Sequence, residues 1–136
     1  EADAYDKPVP SHCGTCDRCL RACPTGALEK AHILNANHCL SYLTIENRGE
    51  IPPWEARLLG NRLYGCDTCQ QVCPWNRFSQ PTQEAAFQPS EALLQLQKED
   101  LKMFTKDDYS RIFAKSAVKR AKYEGLLRTI KHLKLE

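Results

Sequence analysis

The sequence contains no run of about 18 apolar residues, the length that a helix needs to cross a bilayer, so no membrane partner is expected. Its start shows no basic segment followed by an apolar one, so no secretory leader is expected either. The chain also has no marked excess of charge, because 19 Lys and Arg stand against 17 Asp and Glu. A cytoplasmic protein is expected, and 136 residues are enough for one domain or two very small ones.

The charge is unevenly distributed along the chain. Residues 1–104 carry 10 basic and 13 acidic side chains, whereas residues 105–136 carry 9 basic and 4 acidic ones. A basic segment of this kind is a candidate surface for a polyanion such as nucleic acid. The alternative is an ordinary solvated helix face.

Cysteine, in contrast, is abundant, and three chemistries could use it. The eight cysteines are Cys13, Cys16, Cys19, Cys23, Cys39, Cys66, Cys69 and Cys73. A disulfide framework is typical of small secreted domains, and nothing in this sequence indicates secretion. Structural zinc uses Cys-x-x-Cys pairs, but it does not require a third cysteine in the run followed by Cys-Pro.

The first cysteine run, Cys13-x2-Cys16-x2-Cys19-x3-Cys23-Pro24, matches the bacterial ferredoxin run that binds [4Fe–4S] clusters. In ferredoxins with two clusters, the fourth cysteine of such a run ligates the other run's cluster. The spacing therefore predicts that one loop supplies three thiolates to one cluster and that Cys23 points at another.

The second run resembles the first but lacks one ligand. When the two are aligned on their Cys-Pro pairs, Cys73, Cys69 and Cys66 all match cysteines of the first run. The position equivalent to Cys13 is Leu63, whose side chain cannot bind iron.

Cys39 lies outside both runs and is predicted to supply the missing ligand. Two clusters then use all eight thiolates, and each run gives its fourth cysteine to the other cluster. Cluster 1 is predicted to be bound by Cys13, Cys16, Cys19 and Cys73, and cluster 2 by Cys23, Cys39, Cys66 and Cys69. The alternative for Cys39 is a buried free thiol, which is common for this residue type.

The chain is predicted to comprise a linker (residues 1–10), a cluster domain (11–78), a second linker (79–89) and a helical basic C-terminal region (90–136). In the cluster domain, two short strands are expected around Asn35.

Helix signals are found in both halves. A helix is expected to begin at Cys39, and another to run from about Pro53 to Gly60. In the basic region Ser90, Thr105 and Ser116 are predicted to cap helices. The last of these helices is predicted to carry an apolar face made of Tyr123, Leu126, Leu127, Ile130 and Leu133.

Four segments together carry a resemblance to a known family. In chain order they are the first cysteine run with "CPTGA", then "CLSYLTIE", "GNRLYGCDTCQQVCPWN" and "SAVKRAKYEGLLR". From about Ser11 to Leu133, the chain closely resembles the C-terminal half of the tRNA epoxyqueuosine reductase family. The resemblance implies an α+β fold class: a bacterial-type two-[4Fe–4S] ferredoxin-like domain followed by a small helical, HEAT-like C-terminal region.

The resemblance also implies an activity. Members of this family reduce epoxyqueuosine to queuosine at the wobble position of tRNA anticodons, with a cobalamin as the reducing centre and two [4Fe–4S] clusters that supply its electrons. The implied partners are tRNA, at its anticodon region, and a low-potential electron donor such as a flavodoxin or ferredoxin; the implied state is a monomer. An N-terminal domain holds the cobalamin in the family and is absent from this sequence, so the chain alone is expected to lack reductase activity. Since the first residue is Glu1 rather than Met, a processed chain or a piece of a longer protein is expected.

Further site residues follow from the resemblance and from charge. Ser41 and Tyr42, in the "SYL" segment, are expected near the corrin ring of the cobalamin. The candidate phosphate contacts for tRNA are Lys115, Lys119, Arg120, Lys122 and Arg128.

Two other classes of function remain open at the level of sequence. A stand-alone two-cluster ferredoxin would carry electrons between proteins and have no affinity for tRNA. A structural zinc module for nucleic-acid binding would contain zinc without iron or sulfide.

Overall fold

The computed structural model describes residues 5–135 and is rich in short helices, with one small sheet. Residues 1–4 of the first predicted linker lie outside the described residues. The α-helices are α1 (Arg18–Ala22), α2 (Leu40–Ile45), α3 (Pro53–Leu58), α4 (Thr68–Gln71), α5 (Glu91–Leu94), α6 (Lys106–Ile112) and α7 (Lys122–Ile130). Short 3-10 helices span Ala36–His38, Pro74–Phe78, Ala85–Phe87, Glu99–Met103 and Ala117–Ala121. Within residues 5–135, no helix is both long and apolar enough to cross a membrane.

The sheet is one antiparallel hairpin of β1 (Leu28–Lys30) and β2 (Ile33–Leu34). The predicted pair of strands is present, but its predicted centre at Asn35 is wrong. The chain reverses at His32, which adopts a left-handed φ of 62°. Asn35 follows β2, and its backbone N–H donates to the carbonyl of Ala27 at 2.8 Å. This hydrogen bond lies just beyond the open end of the hairpin.

A first apolar core lies between α2 and α3. The spacing of the "CLSYLTIE" segment predicts a helix, and α2 buries Leu40 and Leu43 on its inner face. The helix α3 begins at Pro53 as predicted, because proline fits the first turn of a helix. This core consists of Leu40, Leu43, Ile51, Ala56 and Leu59.

A second core is built by the C-terminal helices. Its buried members are Leu101, Phe104, Ile112, Phe113, Leu126 and Ile130. The predicted apolar face of the last helix is confirmed, since Tyr123, Leu127 and Leu133 pack against this core. Whether these helices form a HEAT-type repeat stays a prediction.

The predicted caps are present in this region. The Ser90 hydroxyl accepts from the backbone N–H of Leu93, and Thr105 forms a reciprocal capping box with Asp108. Ser116 accepts from the N–H of Val118, but it caps a 3-10 helix rather than the expected continuous α-helix. The helical conformation is interrupted at Lys122, where φ is 61° and where α7 begins.

The two cores are joined by arginines that cross from one to the other. Arg128, on α7, is 8% exposed and donates to the carbonyls of Leu43, Asn47 and Gly49 at 2.6–2.8 Å. From the other side, Arg48 donates to carbonyls of the 3-10 helix Ala117–Ala121. The C-terminal helices are therefore fastened to the end of α2, the helix that begins after Cys39.

Candidate metal centre

All eight cysteines are free thiols, so the sulfurs are available as metal ligands. Four of them converge on one cavity of about 240 Å³. Its lining residues are Cys13, Cys16, Cys19 and Cys73, with His12, Arg18, Pro74, Trp75 and Arg77. Among residues 5–135, no three His, Cys, Asp or Glu side chains are grouped as ligands of a metal ion. Four thiols around a cavity of this size match the donor set of a [4Fe–4S] cluster, which takes four cysteine thiolates.

Local backbone structure presents these thiols in the same way in both runs. Cys19 lies on α1 and Cys69 on α4, and the two helices pack against each other. Cys23 and Cys73 each follow such a helix and adopt an extended conformation, with ψ of 118° and 122°. Each directly precedes a proline, which disfavours further helix at the cysteine. Cys73 lines the cavity that holds the first run's other thiols, and Cys23 does not.

We call the remaining thiols, those of Cys23, Cys39, Cys66 and Cys69, the second thiol group. Cys39 occupies the N-cap position of α2, and Cys66 packs against the first apolar core. The pKa of the Cys69 thiol is raised, first by burial and also by the neighbouring charges of Cys66 and Cys39. Cys39 therefore lies close enough to Cys69 to influence its ionisation, and the assignment of these four thiols to one cluster stays a prediction.

Hydrogen-bond donors surround the sulfur of Cys23. Burial is the largest single influence and raises the pKa of this thiol. Hydrogen bonds from the Leu28 backbone, the Thr25 hydroxyl and the backbone N–H groups of Thr25 and Ala27 together lower it below its usual value. The Thr25 hydroxyl lies 3.7 Å from the sulfur. Donors of this kind stabilise a thiolate, which is the form that binds iron.

Thr44 links α2 to the loop before Cys66, and no pattern in the sequence selects this residue. Its hydroxyl is fully buried, donates to the carbonyl of Leu40 at 2.8 Å and accepts from the N–H of Gly65 at 2.9 Å. Gly65 has a φ of 75°, which favours glycine and directs its N–H towards α2. One side chain thereby fixes the loop before Cys66 against the helix after Cys39.

A contact between His38 and Glu55, next to Cys39, was also not predicted from the sequence. The Glu55 carboxylate is buried, with its side chain 4% exposed, and contacts His38 Nδ1 at 2.6 Å. This contact ties α3 to the short helix that leads into Cys39. The signal available in the sequence was an acidic residue on the inner face of a predicted helix.

The two residues expected near a corrin lie on α2, one turn or less from Cys39. Ser41 is half-buried, and Tyr42 is 36% exposed.

The predicted phosphate contacts separate into two groups. Lys115, Lys119 and Lys122 are exposed. Arg120 is also exposed, but its Nε donates to both carboxylate oxygens of Glu46 at 2.8 and 3.0 Å. Part of its charge is therefore neutralised within the chain.

The prediction that Arg128 contacts a phosphate is wrong in this structure. Its guanidinium is buried, and both terminal nitrogens donate to backbone carbonyls at the end of α2 and in the turn after it. Burial lowers the pKa of Arg128, although an arginine still carries its charge at neutral pH. Charge counting cannot distinguish this internal role from a surface role.

Residues 12–76, which carry both runs and Cys39, match a protein family described as a 4Fe-4S double cluster binding domain. The class defined by the fold and the thiol groups is therefore that of the iron–sulfur proteins.

Comparison with individual proteins specifies the family. Over 130 residues the chain is 48% identical to the epoxyqueuosine reductase of Cellulophaga algicola, an alignment that covers 96% of this chain and 42% of that protein. It superimposes on the structure of epoxyqueuosine reductase from Bacillus subtilis with a TM-score of 0.78 and 31% identity, over 96% of this chain and 35% of that one. A crystal structure of epoxyqueuosine reductase with an epoxyqueuosine-modified tRNA-Tyr stem loop matches with a TM-score of 0.77 and 31% identity, over 95% and 34% of the two chains.

The chain belongs to the epoxyqueuosine reductase family. It spans less than half the length of the relatives that it matches.

Proposed function

We propose that this chain binds two [4Fe–4S] clusters through exchanged cysteine ligands and forms the electron-relay part of an epoxyqueuosine reductase. The observation that carries the proposal is the cavity shared by Cys13, Cys16, Cys19 and Cys73. It takes three thiols from the first run and the fourth from the second, as in ferredoxins with two clusters. Cys23, Cys39, Cys66 and Cys69 would hold the other cluster.

When bound, the clusters supply single-electron transfer, in this family towards a cobalamin. The residues of the chain hold the thiolates in place and surround them with N–H and O–H donors, which set how readily a cluster is reduced. Ser41 and Tyr42 lie in the first turn of α2, the helix that Cys39 precedes, and are proposed to face the corrin. The cobalamin would be held by a part of the reductase that this sequence does not include.

The basic C-terminal region is proposed to dock the anticodon region of tRNA. Lys115, Lys119 and Lys122 are exposed. Arg120 is exposed too, and its ion pair with Glu46 neutralises only part of the charge that a phosphate would contact. The relative crystallised with a tRNA stem loop supports this part of the proposal. Contacts to phosphates position the RNA without reading its sequence. We further propose that the helices form a HEAT-like region and that the protein works in the cytoplasm as a monomer with a flavodoxin or ferredoxin as its electron donor.

The proposal is tested by purifying the chain without oxygen and measuring iron, sulfide, zinc and binding to an anticodon stem loop. Two clusters per chain together with binding that weakens as salt rises support it. Two clusters without RNA binding would favour a stand-alone ferredoxin, and zinc without iron or sulfide would favour the zinc module.

A further inference from the structure

Two threonine hydroxyls lie against cysteine sulfurs in equivalent local positions. Thr25 Oγ1 is 3.7 Å from the sulfur of Cys23, and Thr68 Oγ1 is 3.5 Å from that of Cys66. In both cases the threonine is two residues after the cysteine. Both cysteines belong to the set assigned to cluster 2, so the two contacts concern the same cluster.

The direction of the second hydrogen bond follows from a third residue. Arg62 Nη2 is 2.9 Å from Thr68 Oγ1, and an arginine can only donate. The hydroxyl oxygen of Thr68 therefore accepts from Arg62, and its own hydrogen remains free for the Cys66 sulfur. Arg62 is held in turn by the carbonyl of Leu59 at 3.0 Å. The result is a chain of donors that runs from Arg62 through Thr68 to the sulfur.

The positions of the other run that correspond to Thr25 and Thr68 carry no hydroxyl, although the two runs are related by sequence. When the runs are aligned on their Cys-Pro pairs, Thr68 corresponds to Arg18, and Thr25 corresponds to Trp75. Arg18 and Trp75 both line the cavity assigned to cluster 1, and neither carries a hydroxyl. The two sites thus share a backbone pattern and differ in the side chains beside their sulfurs.

We propose that Thr25 and Thr68 raise the reduction potential of the cluster bound by Cys23, Cys39, Cys66 and Cys69. This inference rests on the proposed function, because it requires that this cluster be present. Reduction adds one electron, supplied by an external reductant, and the added negative charge is shared with the ligand sulfurs. A hydroxyl that donates to a sulfur stabilises the reduced form more than the oxidised form, which makes reduction easier.

The test is a reductive titration of the full chain, reconstituted with iron and sulfide and followed by electron paramagnetic resonance. Thr68→Val and Thr25→Val remove the hydroxyls with little change of shape. Thr68→Ser and Thr25→Ser retain them. Thr82→Val, in the exposed segment after the second run, is the matched control.

We expect each valine variant to lower the ratio of reduced to oxidised cluster 2, at a fixed potential, by about three- to tenfold. A tenfold change equals about 59 mV for one electron. The double variant should shift further, the serine variants and Thr82→Val should match the unsubstituted chain, and cluster 1 should keep its potential.

Equal potentials in the valine variants and the unsubstituted chain would overturn the inference, as would equal shifts of both clusters. Iron and sulfide content separate this failure from failure of the proposed function. If the unsubstituted chain does not bind two clusters, the assignment of the ligands is wrong; if it binds two and no potential moves, only the role of the threonines is wrong.

Discussion

Single residues account for the difference between the two cysteine runs. Leu63 stands where the second run would carry its first ligand, and its side chain packs against the C-terminal core. A cysteine there would lose most of that apolar contact. Cys39, at the start of α2, is proposed to supply the missing ligand, and Thr44 holds α2 against the loop before Cys66. A position that looks defective in the sequence thus contributes to packing.

Thr44→Val tests this role at the scale of the residue. The valine keeps the shape but leaves the N–H of Gly65 without its acceptor, and an unpaired buried polar group costs about 1–3 kcal/mol. We expect a loss of that size in the free energy of unfolding, measured by urea denaturation without oxygen.

Thr44→Ser is the control, because it retains the hydroxyl and removes only a methyl group. If Thr44→Val were as stable as the unsubstituted chain, the hydrogen bond to Gly65 would not hold the loop.

At the scale of elements, the structure depends on contacts that no local pattern reveals. The arginine contacts between α2 and α7 satisfy carbonyls that the end of a short helix leaves without partners. They also attach the basic region to the helix that begins after Cys39. The position of the basic lysines relative to the thiol groups is therefore set by α2 and α7 together.

Arg128→Met tests the attachment. The variant keeps a long apolar stem but leaves three carbonyls without their donor. Hydrogen bonds from a charged group contribute about 1.5–3 kcal/mol each, and this gain is offset in part by the cost of burying the charge. We expect a net loss of about 3 kcal/mol in the free energy of unfolding.

Lys115→Met is a control on the surface, where a substitution is expected to change stability by less than about 0.5 kcal/mol. A similar small effect of Arg128→Met would return Arg128 to the candidate phosphate contacts.

Sequence patterns predicted the elements that depend on near neighbours. The caps at Ser90 and Thr105, the start of α3 and the helix after Cys39 are all observed, because each is set within a few residues. The sequence places the hairpin too far along the chain, because the unusual φ of His32 has no signal in its residue type.

Contacts between distant segments could not be predicted in the same way. A charge count places Arg128 among the RNA contacts because it ignores burial, and the carbonyls that Arg128 binds lie about 80 positions away along the chain. The donors Thr44 and Arg62 act on residues brought near by the fold. The ligand assignment itself, which rests on spacing and on the count of cysteines, stays a prediction.

At the scale of the whole molecule, the proposed cluster sites and the proposed RNA surface belong to one small chain. The thiol groups lie in one half, the exposed lysines lie in the other, and the buried arginine joins them. Bound RNA would thereby have a fixed position relative to cluster 2.

Replacement of Lys115, Lys119 or Lys122 by alanine tests the RNA surface. Each lysine that contacts a phosphate should reduce the dependence of affinity on salt, with the logarithmic slope falling by about 1. The measurement is the binding of an anticodon stem loop at several salt concentrations. Lys7→Ala, in the exposed segment before the first run, is the matched control. Unchanged slopes in all three variants would mean that RNA binds elsewhere.

The exchange of ligands between the two runs is the central claim, and electron paramagnetic resonance of single alanine variants tests it most directly. We predict that Cys73→Ala perturbs the same cluster signal as Cys13→Ala, because both side chains line one cavity. Cys39→Ala and Cys23→Ala should perturb the other signal and leave that one intact. If Cys73→Ala instead perturbed the signal that Cys69→Ala perturbs, each run would serve its own cluster and the account would be contradicted.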